Sequence, residues 1–123
     1  MAAWTTDELD TIGDAEELTL ASARRDGTLR EPVTMWVVRD GDDLYVRSVN
    51  GRGAAWFRGA LTRHEARIRG GGVEKDVSLV ETDAANGEVD AGYHAKYDRS
   101  YPSIVPSIVA PEPRAATLKL VPR

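Results

Sequence analysis

Leu9 and Ile12, three residues apart, give the chain its first apolar edge, at the spacing of one helix face. Thr5 with Glu8 three residues later makes a capping-box pattern, so a short helix is predicted over 6–12, ended by Gly13. The period then changes to two. Leu18 and Leu20 alternate with Thr19 and Ala21, Asp26-Gly27 is a hairpin signal, and a β-rich run fills 32–39. Pro32 is expected at an edge or bulge, because it has no N–H to donate to a ladder. A turn at 40–43 leads to a third strand at 44–49.

After Val49, the run Asn50-Gly51-Arg52-Gly53 breaks the strand, and Ala54, Phe57 and Leu61 return to helical spacing, predicting a helix over 54–61. Strands resume at 66–69 and, past the glycine turn 70–72, at 73–80. Asn86 is a candidate cap for a helix in which Val89, Tyr93 and Tyr97 form one stripe. Segment 102–113, with PSIV at 102–105 and again at 106–109, is too rich in proline for a helix and too apolar for a loose linker. It is expected as an extended arm lying on the body. A sixth strand at 115–121 closes the chain. Six strands and about three short helices, without βαβ alternation, predict a mostly β, α+β fold, a small closed or half-open antiparallel barrel.

Composition narrows this further. The 123 residues suit one domain over 1–123, with 41% hydrophobic and 29% charged residues. No apolar run approaches the roughly 20 residues that a spanning helix requires, so no membrane is expected. Residues 1–10 lack a basic segment followed by an apolar stretch, so the expected location is cytoplasmic. The absence of cysteine excludes disulfides and thiolate chemistry, and His64 and His94 have no metal-like spacing, so no metal site is expected. The net charge of −4 argues against nucleic acid as a partner. Between Arg47 and Lys75, however, seven basic residues face two acidic ones. That island suggests a local anionic ligand or, equally, solvated arginines on outward faces.

The candidate chemistry gathers at 47–57. Gly51 and Gly53 begin a dinucleotide-type pattern, but Trp56 stands where its third glycine belongs and no βαβ unit follows, so that motif is rejected. What remains is a strand ending in Arg47 and Ser48, a glycine loop, and a helix start whose free N–H groups favour an anion, with Arg47 and Arg52 able to add bidentate contacts. Trp36 and Trp56 are either core or flat walls for an aromatic ring. On the later helix, Tyr93 and Tyr97 share a face beside Lys96; they either pack that helix or, through Tyr97 or Lys96, supply a proton or hold an anionic substrate.

The order of elements, and the segments MWVVRD at 35–40, LYVRSVNGRGAAWFRGAL at 44–61, GGGVEKDVSL at 70–79, AGYHAKY at 91–97 and TLKLVPR at 117–123, resemble the FMN-binding split β-barrel superfamily. Within it, the chain is most similar to an uncharacterised bacterial family of short proteins related to deazaflavin-dependent nitroreductase-like proteins. The resemblance implies a six-stranded antiparallel split β-barrel. It also implies FMN or a deazaflavin as cofactor, a small conjugated or aromatic substrate and a homodimer. Arg47, Ser48, Asn50, Gly51 and Arg52 are implied as phosphate contacts, with Trp56 nearby, and Arg52 stands in for the usual loop lysine. The implied activity is hydride transfer. A ligand-binding module without turnover, and a cofactor-free isomerase or cyclase using Tyr93, Lys96 and Tyr97, are the other functions considered.

Overall fold

The computed structural model describes residues 3–123, so Met1 and Ala2, part of both the 1–123 domain and the N-terminal stretch discussed above, lie outside the described residues. Helix α1 (Thr6–Asp14) starts on the expected capping box: Glu8 N–H donates to Thr5 Oγ1 and Thr5 N–H to Glu8 Oε1. Leu9 and Ile12 are buried on one face. The helix runs past Gly13, whose role is close packing rather than termination. A Cβ there would lie 3.2 Å from Cβ of Arg39.

Seven strands follow in one antiparallel sheet: β1 (Leu18–Ser22), β2 (Val33–Met35), β3 (Val38–Asp40), β4 (Asp43–Arg47), β5 (Glu65–Gly70), β6 (Val73–Glu81) and β7 (Thr117–Pro122). Their spatial order is β2-β1-β5-β6-β7-β4-β3. The β5–β6 hairpin turns on Gly71 and Gly72, both at positive φ, as a tight two-residue connection requires. The seventh strand corrects the expected six. The run read as one strand over 32–39 is two, broken at Trp36 and Val37, and its halves form opposite edges of the sheet: Val33–Met35 pairs with β1, and Val38–Asp40 with β4. Curling of the sheet brings those edges together, so one short stretch of chain spans the opening of the half-barrel. Pro32 lies just outside the edge strand β2.

Alternation along the strands divides the apolar residues between two cores. Leu44 and Val46 of β4 join Leu18, Leu20, Ile68 and Leu118 inside the barrel. Val38 and Tyr45 face outward, under helix α3 (Asn86–Tyr97), where Val89, Tyr93 and Tyr97 form the expected buried stripe. Asn86 does not cap this helix; Ala85 occupies that position, without a side-chain bond. The proline-rich arm is also not extended. It forms two one-turn helices, α4 (Val105–Ile108) and α5 (Pro111–Arg114), with prolines in their first turns, where the missing N–H has no intrahelical partner to lose. Val105 and Ile108 plug the outer core. Counting α2 (Ala55–Ala60), the described residues form five α-helices rather than about three.

The break at Trp36–Val37 removes Val37 from any ladder, yet the residue is fully buried. Helix α3 supplies the missing partners. Val37 N–H donates to the Tyr97 hydroxyl, and Val37 C=O accepts from Lys96 Nζ at 2.7 Å. The Tyr97 hydroxyl in turn donates to the Glu16 carbonyl at 2.7 Å. Trp36 stacks on the Tyr97 ring, 4.0 Å between centroids and 6° from parallel. Removing that hydroxyl strands a buried N–H, so Tyr97→Phe is expected to lower stability by about 1–3 kcal/mol, seen as a lower urea midpoint at unchanged m value. Tyr93→Phe is the contrast: the Tyr93 hydroxyl is buried without a partner, so its removal is expected to be neutral or stabilising in the same measurement.

Candidate functional site

On β4, the alternation that sends Leu44 and Val46 inward turns Arg47 outward, beneath α3 and the arm. There its guanidinium is wholly enclosed. Nε donates to Thr117 Oγ1 at 2.9 Å, Nη1 to Asp90 Oδ1 and to the Ile108 carbonyl, and Nη2 to the Asn86 carbonyl and Oδ1. A guanidinium has five N–H groups, and these five bonds use all of them. Asp90 also faces Nε of Arg114 at 3.2 Å, so one carboxylate joins β4, α3 and α5. Arg47 is a structural tie between the sheet and the arm.

The rest of the expected phosphate cradle is buried, covered or turned away. Ser48 is fully buried and its hydroxyl has no partner. Gly51 opens a 3-10 turn (Gly51–Gly53) at φ +78 and donates its N–H to the Ser48 carbonyl. Its bare Cα is covered by the arm: a Cβ would lie 2.4 Å from Cγ of Glu112. Arg52 turns the other way, donating to Glu81 and to the Ala115 carbonyl, with its guanidinium over the Phe57 ring. Most of the positive island dissolves into ion pairs. Arg63 meets Glu65, Arg67 meets Asp76, and Lys75 meets Glu8.

An open cleft of about 350 Å³ does lie beside this loop. Trp36 from the strand break and Trp56 from α2 both border it, with Asn50 from the loop. Strand β2 contributes Val33, Thr34 and Met35, and α1's exit contributes Glu17. The arm adds Ile104, Ser107 and Ile108, and the loop adds Val49. Val49 and Ile104 are among the few large apolar side chains left exposed, and both sit at this cleft. Of the residues singled out in the sequence, the structure brings Trp36, Asn50, Trp56 and one side of Arg47 to one place. Ser48, Gly51, Arg52, Tyr93, Lys96 and Tyr97 do not line it.

Tyr97 and Lys96 instead lie behind Trp36, bonded to Val37. Burial pushes the Lys96 ammonium down to about 8, and burial raises both the Tyr93 and Tyr97 hydroxyls above their ordinary range. Sequence reasoning missed Asn86, Asp90 and Thr117 as the partners of Arg47, and Met35, Ile104 and Ser107 at the cleft. No local signal marks them, because Asp90 and Thr117 lie 43 and 70 positions from Arg47. Among the described residues, no group of three or more His, Asp or Glu is placed to hold a metal ion, and no helix is long and apolar enough to cross a membrane.

Residues 8–120 match the family described as "Uncharacterized protein conserved in bacteria (DUF2255)". The chain belongs to this family. The match runs from within α1 to within β7, so both the strand break and the arm fall inside the family's domain. No curated protein matches the chain. Solved structures share the fold. A conserved hypothetical protein from Mycobacterium tuberculosis superposes with a TM-score of 0.69 at 16% identity, covering 98% of this chain and 81% of the other. HutZ, the heme storage protein from Vibrio cholerae, gives 0.67 at 13%, covering 99% and 92%. A protein named F420 reductase gives 0.55 at 18%, covering 94% and 90%. This DUF2255 chain therefore has the split β-barrel fold that its sequence resembles.

Two measurements test this account of the buried groups. Arg47→Met takes from Asp90 one of its two guanidinium partners and leaves the Asn86 and Ile108 carbonyls without their donor, and is expected to cost about 3–5 kcal/mol in urea unfolding. Lys96 gives a pH signature. Its folded value near 8 lies below the ordinary 10.5, so between those values the unfolded chain binds more protons and stability rises with pH. Unfolding curves taken between pH 8 and 9, below the ordinary tyrosine value of 10.0, are expected to show that rise and to lose it in Lys96→Met.

Proposed function

We propose that the cleft binds a planar, conjugated ring of the flavin or deazaflavin type, and that the protein is an oxidoreductase passing hydride to a small conjugated or aromatic substrate. The observation that carries this reading is the pair Trp36 and Trp56 on one mainly apolar cleft of about 350 Å³, since large aromatic faces with a few polar groups suit the binding of flat rings. The neighbour named F420 reductase is consistent with it.

The ring and the phosphate of such a cofactor fare differently here. The apolar wall of Val33, Met35, Ile108 and the two tryptophans suits a ring, and Thr34, Asn50 and Ser107 offer polar atoms for its edge. For a phosphate the residues present do not fit, because Arg47 has no N–H left and Arg52 faces Glu81. When bound, the ring supplies the hydride chemistry. The chain's own part is to orient the ring between indoles and exclude water with the arm residues Ile104 and Ile108.

Two other occupants or activities have less support. Haem iron takes an axial side chain such as His, Cys, Met or Tyr, and Met35 is the one such residue among the described lining residues. A cofactor-free isomerase needs an acid and a base at the cleft, whereas Lys96 and Tyr97 are bonded to Val37.

A saturating flavin or 5-deazaflavin is expected to raise the melting temperature and quench tryptophan fluorescence, with Trp56→Leu weakening binding by about tenfold. Oxidation of the bound reduced ring on adding a conjugated acceptor tests the oxidoreductase part. Absence of any thermal shift or quenching with every ring would remove the reading.

A further inference from the structure

We infer that the cleft takes a planar conjugated ring that carries no phosphate. The inference rests on the reading of the cleft as a ring site, and adds the chemical class of its ligand. A phosphate ester draws its firmest hold from charge-assisted N–H bonds of arginine or lysine, and Arg47 and Arg52, the two arginines implied as phosphate contacts, are both already engaged.

Arg47 borders the cleft, but its five N–H groups are bonded to Thr117, Asp90, Ile108 and Asn86. Freeing two of them for a phosphate would uncover Asp90 and buried carbonyl oxygens, and a second anion would then stand beside the Asp90 carboxylate. Arg52 cannot substitute from its position, since it lies along Glu81 and the Ala115 carbonyl, outside the cleft. The glycine turn is closed as well. Gly51 donates to the Ser48 carbonyl, and the Glu112 side chain lies against its Cα, so an anionic group of the chain itself covers that residue. Glu17 brings another carboxylate to the cleft wall. A dianion entering here meets the Glu17 carboxylate and an arginine with no N–H to spare, whereas an uncharged ring meets tryptophan, valine, methionine and isoleucine.

The test compares matched ligands on the full chain: riboflavin against FMN, and the riboflavin-type 5-deazaflavin against F420, followed by quenching of tryptophan fluorescence at low and high salt. The expected result is that each phosphate-free ring binds at least as tightly as its phosphorylated partner, with little dependence on salt. Arg52→Ala is expected to leave every affinity unchanged. The inference is overturned if FMN binds about tenfold or more tightly than riboflavin, above all if high salt or Arg52→Ala abolishes that preference. If no ring of either kind binds, the reading of the cleft as a ring site falls, and this inference with it; a phosphate preference overturns the inference alone.

Discussion

Val37 is a buried residue whose backbone cannot join any strand ladder, and the architecture is organised around satisfying it. The chain breaks there so that two halves of one β-rich run can serve opposite edges of a curled sheet. Without the break, the run would extend one edge and leave the other bare, exposing unpaired N–H and C=O groups. With it, one buried N–H and one C=O need partners from outside the sheet. Tyr97 and Lys96 reach them from α3, which fixes where that helix lies. Trp36, stacked on Tyr97, is thereby held at the cleft.

A second internal tie, at Arg47, sets the character of the site. Enclosing a guanidinium is tolerable only when its charge and its donors are matched, and the partners come from α3, β7 and the arm together. The arm is consequently part of the body, and its one-turn helix α4 forms a wall of the cleft. The same bonds that hold the arm withdraw the arginine from ligand chemistry. What is left at the cleft is flat aromatic surface with a few uncharged polar groups and one carboxylate. The positive island read along the chain has no counterpart there, because net charge in sequence is a sum, whereas a ligand meets only the charge left after neighbouring ions have paired.

Features that depend on neighbours a few positions away are legible along the chain before it folds. The capping box of Thr5 and Glu8, the glycine turn between β5 and β6, the inward Leu44 and Val46, and the Val89, Tyr93 and Tyr97 stripe follow from backbone periods of 3.6 and 2. The split-barrel resemblance belongs with these, since it rests on the order of such segments. Tertiary structure alone decided the rest. Residues 32–39 read along the chain as one β-rich run, and only the closure of the sheet makes two edges of it. Prolines in segment 102–113 suggested an extended arm, until burial of Val105 and Ile108 favoured two single turns. Arg47 and Tyr97 resemble ligand and proton groups along the chain because their partners stand 39 to 81 positions away. Periodicity within a segment cannot report such pairs: a side chain's hydrogen-bonding capacity is local, but whether it is free is decided by what folding brings beside it.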